Sequence, residues 1–295
     1  MKKTWLITGS SRGLGRALVE HVLAAGDQVA ATARKPEELS DLVATYGAAI
    51  RPIKLDVTSS TEAAAAVQEA HRAFGRLDVV VNNAGYGFMG AFEEQSEADF
   101  RGQIDTNFWG TVNVTRAAVP ILRQQRSGHI IQITSIGGRL AVPGMSGYHA
   151  AKFAVEGLSE ALAQEVRPFG VRVTIVEPGG FRTDWAGSSM AFAPALPDYA
   201  STVGVTRRML QERDGSQPGD PTKAAQAILQ LAQMSEPPVR LPLGTDAYNF
   251  LKYVYRQNLD QVEAWAELTR STDFDGLPQE EGDHPVLAVL KGKSA

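Results

Sequence analysis

Residues 4–15 read Thr4-Trp5-Leu6-Ile7-Thr8-Gly9-Ser10-Ser11-Arg12-Gly13-Leu14-Gly15, a short apolar run that gives way to a glycine-rich turn and then to a helix-forming stretch. The run stops after Ile7, which suits a strand and is too brief for the apolar region of a signal peptide. Glycines permit a tight turn and a close approach of the main chain to a bound group. Free N–H groups gather where the turn enters the helix, and such a terminus favours an anion, here a pyrophosphate. The spacing, G-x-x-x-G-x-G, departs from the G-x-G-x-x-G fingerprint, and strand-to-helix turns also use glycine for structural reasons alone. The turn by itself therefore does not fix the ligand.

Outward from this stretch, short apolar runs alternate with longer amphipathic ones. Strands are predicted at residues 4–8, 28–33, 50–55, 79–82, 129–134, 171–177 and 239–242, and helices at 14–25, 36–46, 61–74, 98–125 and 146–168. That alternation predicts an α/β fold, a doubly wound parallel sheet of the Rossmann type with about seven strands and helices on both faces. Runs such as Val79-Val80-Val81 and Ile130-Ile131 are apolar without alternation, as strands covered on both faces are. Residues 1–274 read as one domain. Within it, a segment at about 180–219 carries Pro194, Pro197 and Pro218 and exposed-looking Met190, Phe192 and Met209, and is expected to be a substrate flap. Residues 246–270 have Leu251, Val254, Tyr255, Leu259, Val262 and Trp265 near helical spacing, which predicts a packed C-terminal helix. A Gly-, Pro- and charge-rich tail at 275–295 follows.

Bulk composition narrows the partners. The 295 residues carry a net charge of −4, which argues against a nucleic-acid surface. There is no cysteine, hence no disulfide and no thiolate metal site. The five histidines show no ligand spacing, so no metal is expected. No apolar stretch approaches the roughly 20 residues that span a bilayer, and the protein is expected to be cytoplasmic.

The chemistry-bearing residues lie where the strands end. Tyr148 and Lys152 stand four apart on a predicted helix, so their side chains share a face. Ser135 lies 13 residues before Tyr148, at the end of the fifth strand, the edge where α/β sites sit. Asn107 falls inside a predicted helix, where asparagine is a poor former. A free tyrosine has a pKa of ~10, and a nearby ammonium lowers it by favouring phenolate. A phenol so placed can give a proton to a carbonyl oxygen, or take one back, while Ser135 hydrogen-bonds the same oxygen.

Taken together, the Thr8-Gly9-x-x-x-Gly13-x-Gly15 loop, the Asn82-Asn83-Ala84-Gly85 turn and this Asn-Ser-Tyr-Lys set resemble the short-chain dehydrogenase/reductase family over residues 3–244. The resemblance implies a nicotinamide cofactor held by Gly9, Ser11, Arg12, Gly13, Leu14 and Gly15. It also implies that Asn83, Ala84 and Gly85 back the adenosine, and that Asp56, with Val57 beside it, faces the adenine. Pro178, Gly179 and Thr183 match the family's loop beside the nicotinamide. Asn107, Ser135, Tyr148 and Lys152 become its catalytic tetrad, Lys152 also binding the nicotinamide ribose and Asn107 positioning a relay water. Where NAD-binding folds place an acid after the second strand, this chain has Ala33-Arg34-Lys35-Pro36. Arg34 with Arg12 forms a clamp suited to a 2′-phosphate, so the expected cofactor is NADP(H).

Residues 137–145, Phe88, Met89 and residues 187–213 of the flap are rich in apolar side chains and point to an apolar ketone, aldehyde or secondary alcohol, at the level of a carbonyl-reductase or hydroxysteroid-dehydrogenase-like subgroup. A homodimer is expected, a tetramer being the family's common alternative. Two other functions fit the same fold: an extended-type epimerase or dehydratase, and a dinucleotide-binding regulator without turnover.

Overall fold

The structure, a computed structural model, describes residues 2–185, 187 and 189–274. Its strands in chain order are β1 (Thr4–Ile7), β2 (Gln28–Ala33), β3 (Ile50–Lys54), β4 (Val79–Asn82), β5 (Gly87–Met89), β6 (Gly128–Ile133), β7 (Val171–Pro178), β8 (Met190–Phe192) and β9 (Arg240–Leu243). The helices are α1 (Gly13–Ala24), α2 (Ser40–Tyr46), α3 (Ser60–Phe74), α4 (Glu97–Ile104), α5 (Gly110–Gln125), α6 (Ser146–Val166), α7 (Val203–Glu212), α8 (Pro221–Leu231), α9 (Thr245–Ala264) and α10 (Ala266–Arg270).

Among the described residues, seven strands form one parallel sheet in the order β3-β2-β1-β4-β6-β7-β9. Successive residues of β1 alternate between two cores. Trp5 and Ile7 pack with Leu18 and Val22 of α1 and Ile228 of α8, while Leu6 packs with Val67 of α3, Val114 of α5 and Leu162 of α6. The chain winds outward in both directions from β1 and β4, so their carboxyl ends flank the crevice where such sheets hold ligands.

Three features depart from the sequence expectations. The long helix at 98–125 is interrupted, because residues Asp105–Trp109 form a π-turn between α4 and α5. The flap is more ordered than its prolines suggest: β8 pairs in parallel with β5, and α7 follows. Met190 is accordingly buried rather than exposed, packed with Met89, Met145 and Tyr148. The next helix, α8, went unpredicted although Asp220 caps it by accepting from Thr222 N at 2.8 Å and Pro221 opens it.

The chain divides into two units, one ending at Leu251 and the other beginning at Lys252. Helix α9 is present as predicted, and Leu251 is buried. In the second unit Leu259, Val262 and Trp265 are exposed, contrary to the expected packing. Helical periodicity marks an apolar face but does not supply a surface to cover it. The tail at 275–295 lies outside the described residues.

Candidate active site

The glycine-rich turn leaves β1 with Gly9 at φ +65° and enters α1 at Gly13 with φ +57°, backbone settings that favour glycine. Thr8 and Asn83 bind the turn to the end of β4. Asn83 Nδ2 donates to the carbonyls of Thr8 and Gly9 at 3.0 and 3.1 Å, and the amides of Asn83 and Ala84 donate to Thr8 Oγ1 at 2.9 and 3.0 Å. Gly15 is buried beneath this arrangement: a Cβ there would press into the Gly9 carbonyl and lie 2.5 Å from Asn83 Nδ2. It is absent from the wall of the cleft, so its service to any ligand is indirect, through the packing of α1 on the turn.

Every other residue expected to touch the cofactor or the reacting group lines one cleft of about 1530 Å³: Gly9, Ser11, Arg12, Gly13, Leu14, Arg34, Asp56, Val57, Asn83, Ala84, Gly85, Asn107, Ser135, Tyr148, Lys152, Pro178, Gly179 and Thr183. At one end the Arg12 and Arg34 side chains are exposed, and neither forms an ion pair among the described residues. Arg16, close in sequence, is by contrast tied to Glu20 and Asp41. Asp56 Oδ1 accepts from the Thr58 amide at 3.0 Å and from Thr58 Oγ1 at 2.7 Å, which leaves Oδ2 for the cleft.

At the other end the chemistry is buried. Tyr148 sits in the first turn of α6 with 5% exposure, its ring 5.3 Å from that of Trp185. Burial pushes its phenol up to about 12, opposed by a hydrogen bond with Ser135. Lys152 is one turn on, its Nζ 5.7 Å from the Tyr148 ring centroid and donating to the Ile133 carbonyl at 3.0 Å. Its pKa is lowered to about 8 by burial, against the pull of Glu156. The expectation that the ammonium draws the phenol down is not met here; desolvation wins and Ser135 supplies the counterweight. Ser135 Oγ also accepts from the Gly137 amide at 3.0 Å, which fixes its rotamer at the end of β6.

Asn107 is fully buried in the π-turn, and its side chain pairs with the Tyr86 main chain: Nδ2 donates to the Tyr86 carbonyl at 2.9 Å and Oδ1 accepts from the Tyr86 amide at 3.0 Å. The wide turn faces Asn107 toward the Gly85 backbone, where a Cβ would lie 2.5 Å from Oδ1. A π-turn also explains how a poor helix former holds a mid-helix place.

Sequence reasoning missed two residues here. His149 accepts from the Val142 amide at Nε2 and therefore donates from Nδ1 to the Gly137 carbonyl at 2.8 Å, stapling the segment after Ser135 to α6. Trp185 covers the Tyr148 ring, and its aromatic type in the flap was the signal available. Phe88 and Met89, expected at the substrate, do not line the cleft, because β5 turns them into the packing beneath β8. Leu140, Val142, Met145, Met209 and Leu210 do line it.

The donor set fits a dinucleotide. A glycine cradle at a helix N-terminus, two exposed guanidiniums without acid partners and a buried phenol beside an ammonium share one wall. Residues 3–192 match the short chain dehydrogenase family model. Oxidoreductase BOA17 of Botryotinia fuckeliana is 47% identical over 270 residues, which cover 91% of this chain and 98% of that protein. A crystal structure of a short-chain dehydrogenase from Streptomyces avermitilis superposes with a TM-score of 0.88 at 44% identity, covering 93% of this chain and all of that one. An alcohol dehydrogenase from the archaeon Thermococcus sibiricus, complexed with 5-hydroxy-NADP, is similar with a TM-score of 0.68 at 26% identity, over 82% of this chain and 96% of that one. The cleft and these likenesses agree, and the chain belongs to the short-chain dehydrogenase family of oxidoreductases.

Proposed function

We propose that this protein is an NADPH-dependent oxidoreductase that interconverts an apolar ketone or aldehyde and its alcohol, with Tyr148 as general acid and base. The observation that carries this reading is the buried phenol of Tyr148, hydrogen-bonded to Ser135 beside the Lys152 ammonium at the inner end of the cleft. The cofactor, when bound, supplies hydride to the carbonyl carbon. The protein's residues handle the proton and the oxygen. Tyr148, kept protonated near neutral pH by burial, donates to the oxygen as it gains charge. Ser135, its rotamer fixed by the Gly137 amide, hydrogen-bonds that same oxygen. Lys152 holds its ammonium next to the ring, and Asn107 holds the turn at Tyr86 that closes this part of the wall.

Selection of NADPH rests on Arg12 and Arg34. Two unpartnered cations beside a helix N-terminus are suited to a phosphate, and a guanidinium can grip one with two hydrogen bonds. The bound 5-hydroxy-NADP of the archaeal alcohol dehydrogenase supports the same choice. Asp56, Asn83 and Ala84 serve the adenosine side, and Pro178, Gly179 and Thr183 the nicotinamide side. The apolar substrate follows from Leu140, Val142, Met145, Trp185 and Leu210 around the phenol. No helix among the described residues is long and apolar enough to cross a membrane. We place the protein in the cytoplasm as a homodimer acting on small molecules rather than nucleic acid.

The test is consumption of NADPH and NADH against a panel of aliphatic, aromatic and cyclic ketones and aldehydes, with the alcohols identified. NADPH-selective reduction of apolar members is expected. Equal efficiency with both nucleotides would remove the NADPH assignment, and failure on the whole panel the carbonyl reading.

A further inference from the structure

The loop after β7 is held by a carboxylate from another element, the start of α9. Asp246, in the first turn of α9, accepts from the Gly180 amide through Oδ2 at 2.7 Å and from the Ala247 amide through Oδ1 at 2.9 Å. Its two oxygens each accept from a main-chain amide. The contact is close: a Cβ on Gly179 would lie 2.6 Å from Asp246 Cγ, and one on Gly180 3.3 Å from Oδ2. Asp246 also lines the cleft beside Gly179 and Thr183. The remaining handles of the loop are tied to the main chain. The Gly179 amide donates to the Leu243 carbonyl at 2.9 Å, and the Gly180 carbonyl accepts from the Gly219 amide at 2.9 Å.

A carboxylate that merely capped α9 would need one oxygen on the helix. Here the second oxygen leaves the helix and fixes the backbone of Gly180, across 66 residues of sequence. Hydrogen bonds from amides to a carboxylate are among the stronger ones. We propose that Asp246 is a positioning residue for hydride transfer: its carboxylate sets the Gly179–Gly180 backbone against which the nicotinamide half of the cofactor is held. The assignment rests on the NADPH-dependent reading above. It explains why two glycines follow Pro178, since a side chain at Gly179 would collide with the carboxylate that fixes the loop.

The experiment uses the full chain with Asp246→Ala and Asp246→Asn. Five quantities are measured: the melting midpoint of the unliganded protein, the Kd values of NADPH and of 2′,5′-ADP, and the kcat and KM for reduction of a ketone. The adenosine diphosphate carries the half of the cofactor remote from this loop. Asp246→Ala is expected to weaken NADPH by about tenfold or more, the cost of a lost charge-assisted hydrogen bond. Its 2′,5′-ADP affinity should stay within about twofold of wild type. The loss in activity should fall on kcat rather than on KM for the ketone. Asp246→Asn keeps one acceptor oxygen and should lie between the two. If the alanine variant does not fold, the same ratio read from the asparagine variant decides. NADPH and 2′,5′-ADP weakened alike, or neither weakened, would overturn the assignment of Asp246 alone, provided the wild type binds NADPH. A wild type that binds neither nucleotide would overturn it together with the reading on which it rests.

Discussion

The two ends of the cleft are built in opposite electrostatic settings. At the outer end Arg12 and Arg34 stand exposed and without acid partners among the described residues. At the inner end Tyr148 and Lys152 are buried, and desolvation moves both toward their neutral forms, the phenol up and the ammonium down. Solvated cations suit holding an anion, which costs them little. Buried titratable groups suit moving a proton, because their surroundings set which form they hold. The same cleft thus joins a solvated cationic end to a buried end that carries the titratable pair.

The largest effect expected is at the inner end. Tyr148→Phe should lower kcat about a thousandfold while the Kd for NADPH changes little, as read by steady-state kinetics and fluorescence titration. A comparable loss in both would mean that the two ends are not separable. At the outer end, Arg34→Ala should lower kcat/KM with NADPH by about tenfold to hundredfold and leave NADH nearly unchanged. An equal loss with both nucleotides would remove Arg34 from the 2′-phosphate. Between the ends, Leu210→Ala should raise KM for an apolar ketone by about tenfold without altering NADPH affinity.

The pH dependence sharpens the comparison further. Burial lowers Lys152 to about 8, so its ammonium is lost as pH rises through that value, whereas Tyr148 at about 12 stays protonated across the accessible range. In reduction, kcat/KM should therefore fall on the alkaline side with a midpoint near the Lys152 value, since this ratio reports the free enzyme. Lys152→Arg keeps its charge and should move that limb upward. A limb that stays in place would assign it to another group.

The outer end and the sheet were legible because local rules govern them. Strand, glycine turn and helix follow one another within residues 4–15, and Arg34 is marked by the lack of an acid after the second strand. Tyr148, Lys152 and Ser135 were legible from helical spacing and the strand end. What escaped was set by tertiary contact. Phe88 and Met89 look like pocket residues until β8 pairs with β5 and buries them. The phenol's pKa depends on how completely Trp185 and the flap exclude water, which no spacing encodes. Gly15 matches the motif yet acts through packing, and Asp246 matched no motif because its partner, Gly180, lies in another element. The exposed stripe of α9 is periodic in sequence and uncovered among the described residues.

The central claim is that a buried phenol gives its proton to the carbonyl oxygen as hydride arrives from a cofactor in the same cleft. Reduction of a ketone from the panel with NADPH deuterated at the transferred position tests it most directly, by mass spectrometry of the alcohol from wild type and Tyr148→Phe. Deuterium on the carbinol carbon with the wild type, and almost no labelled alcohol with the variant, is the result predicted. Labelled alcohol formed by the variant at the wild-type rate would contradict it.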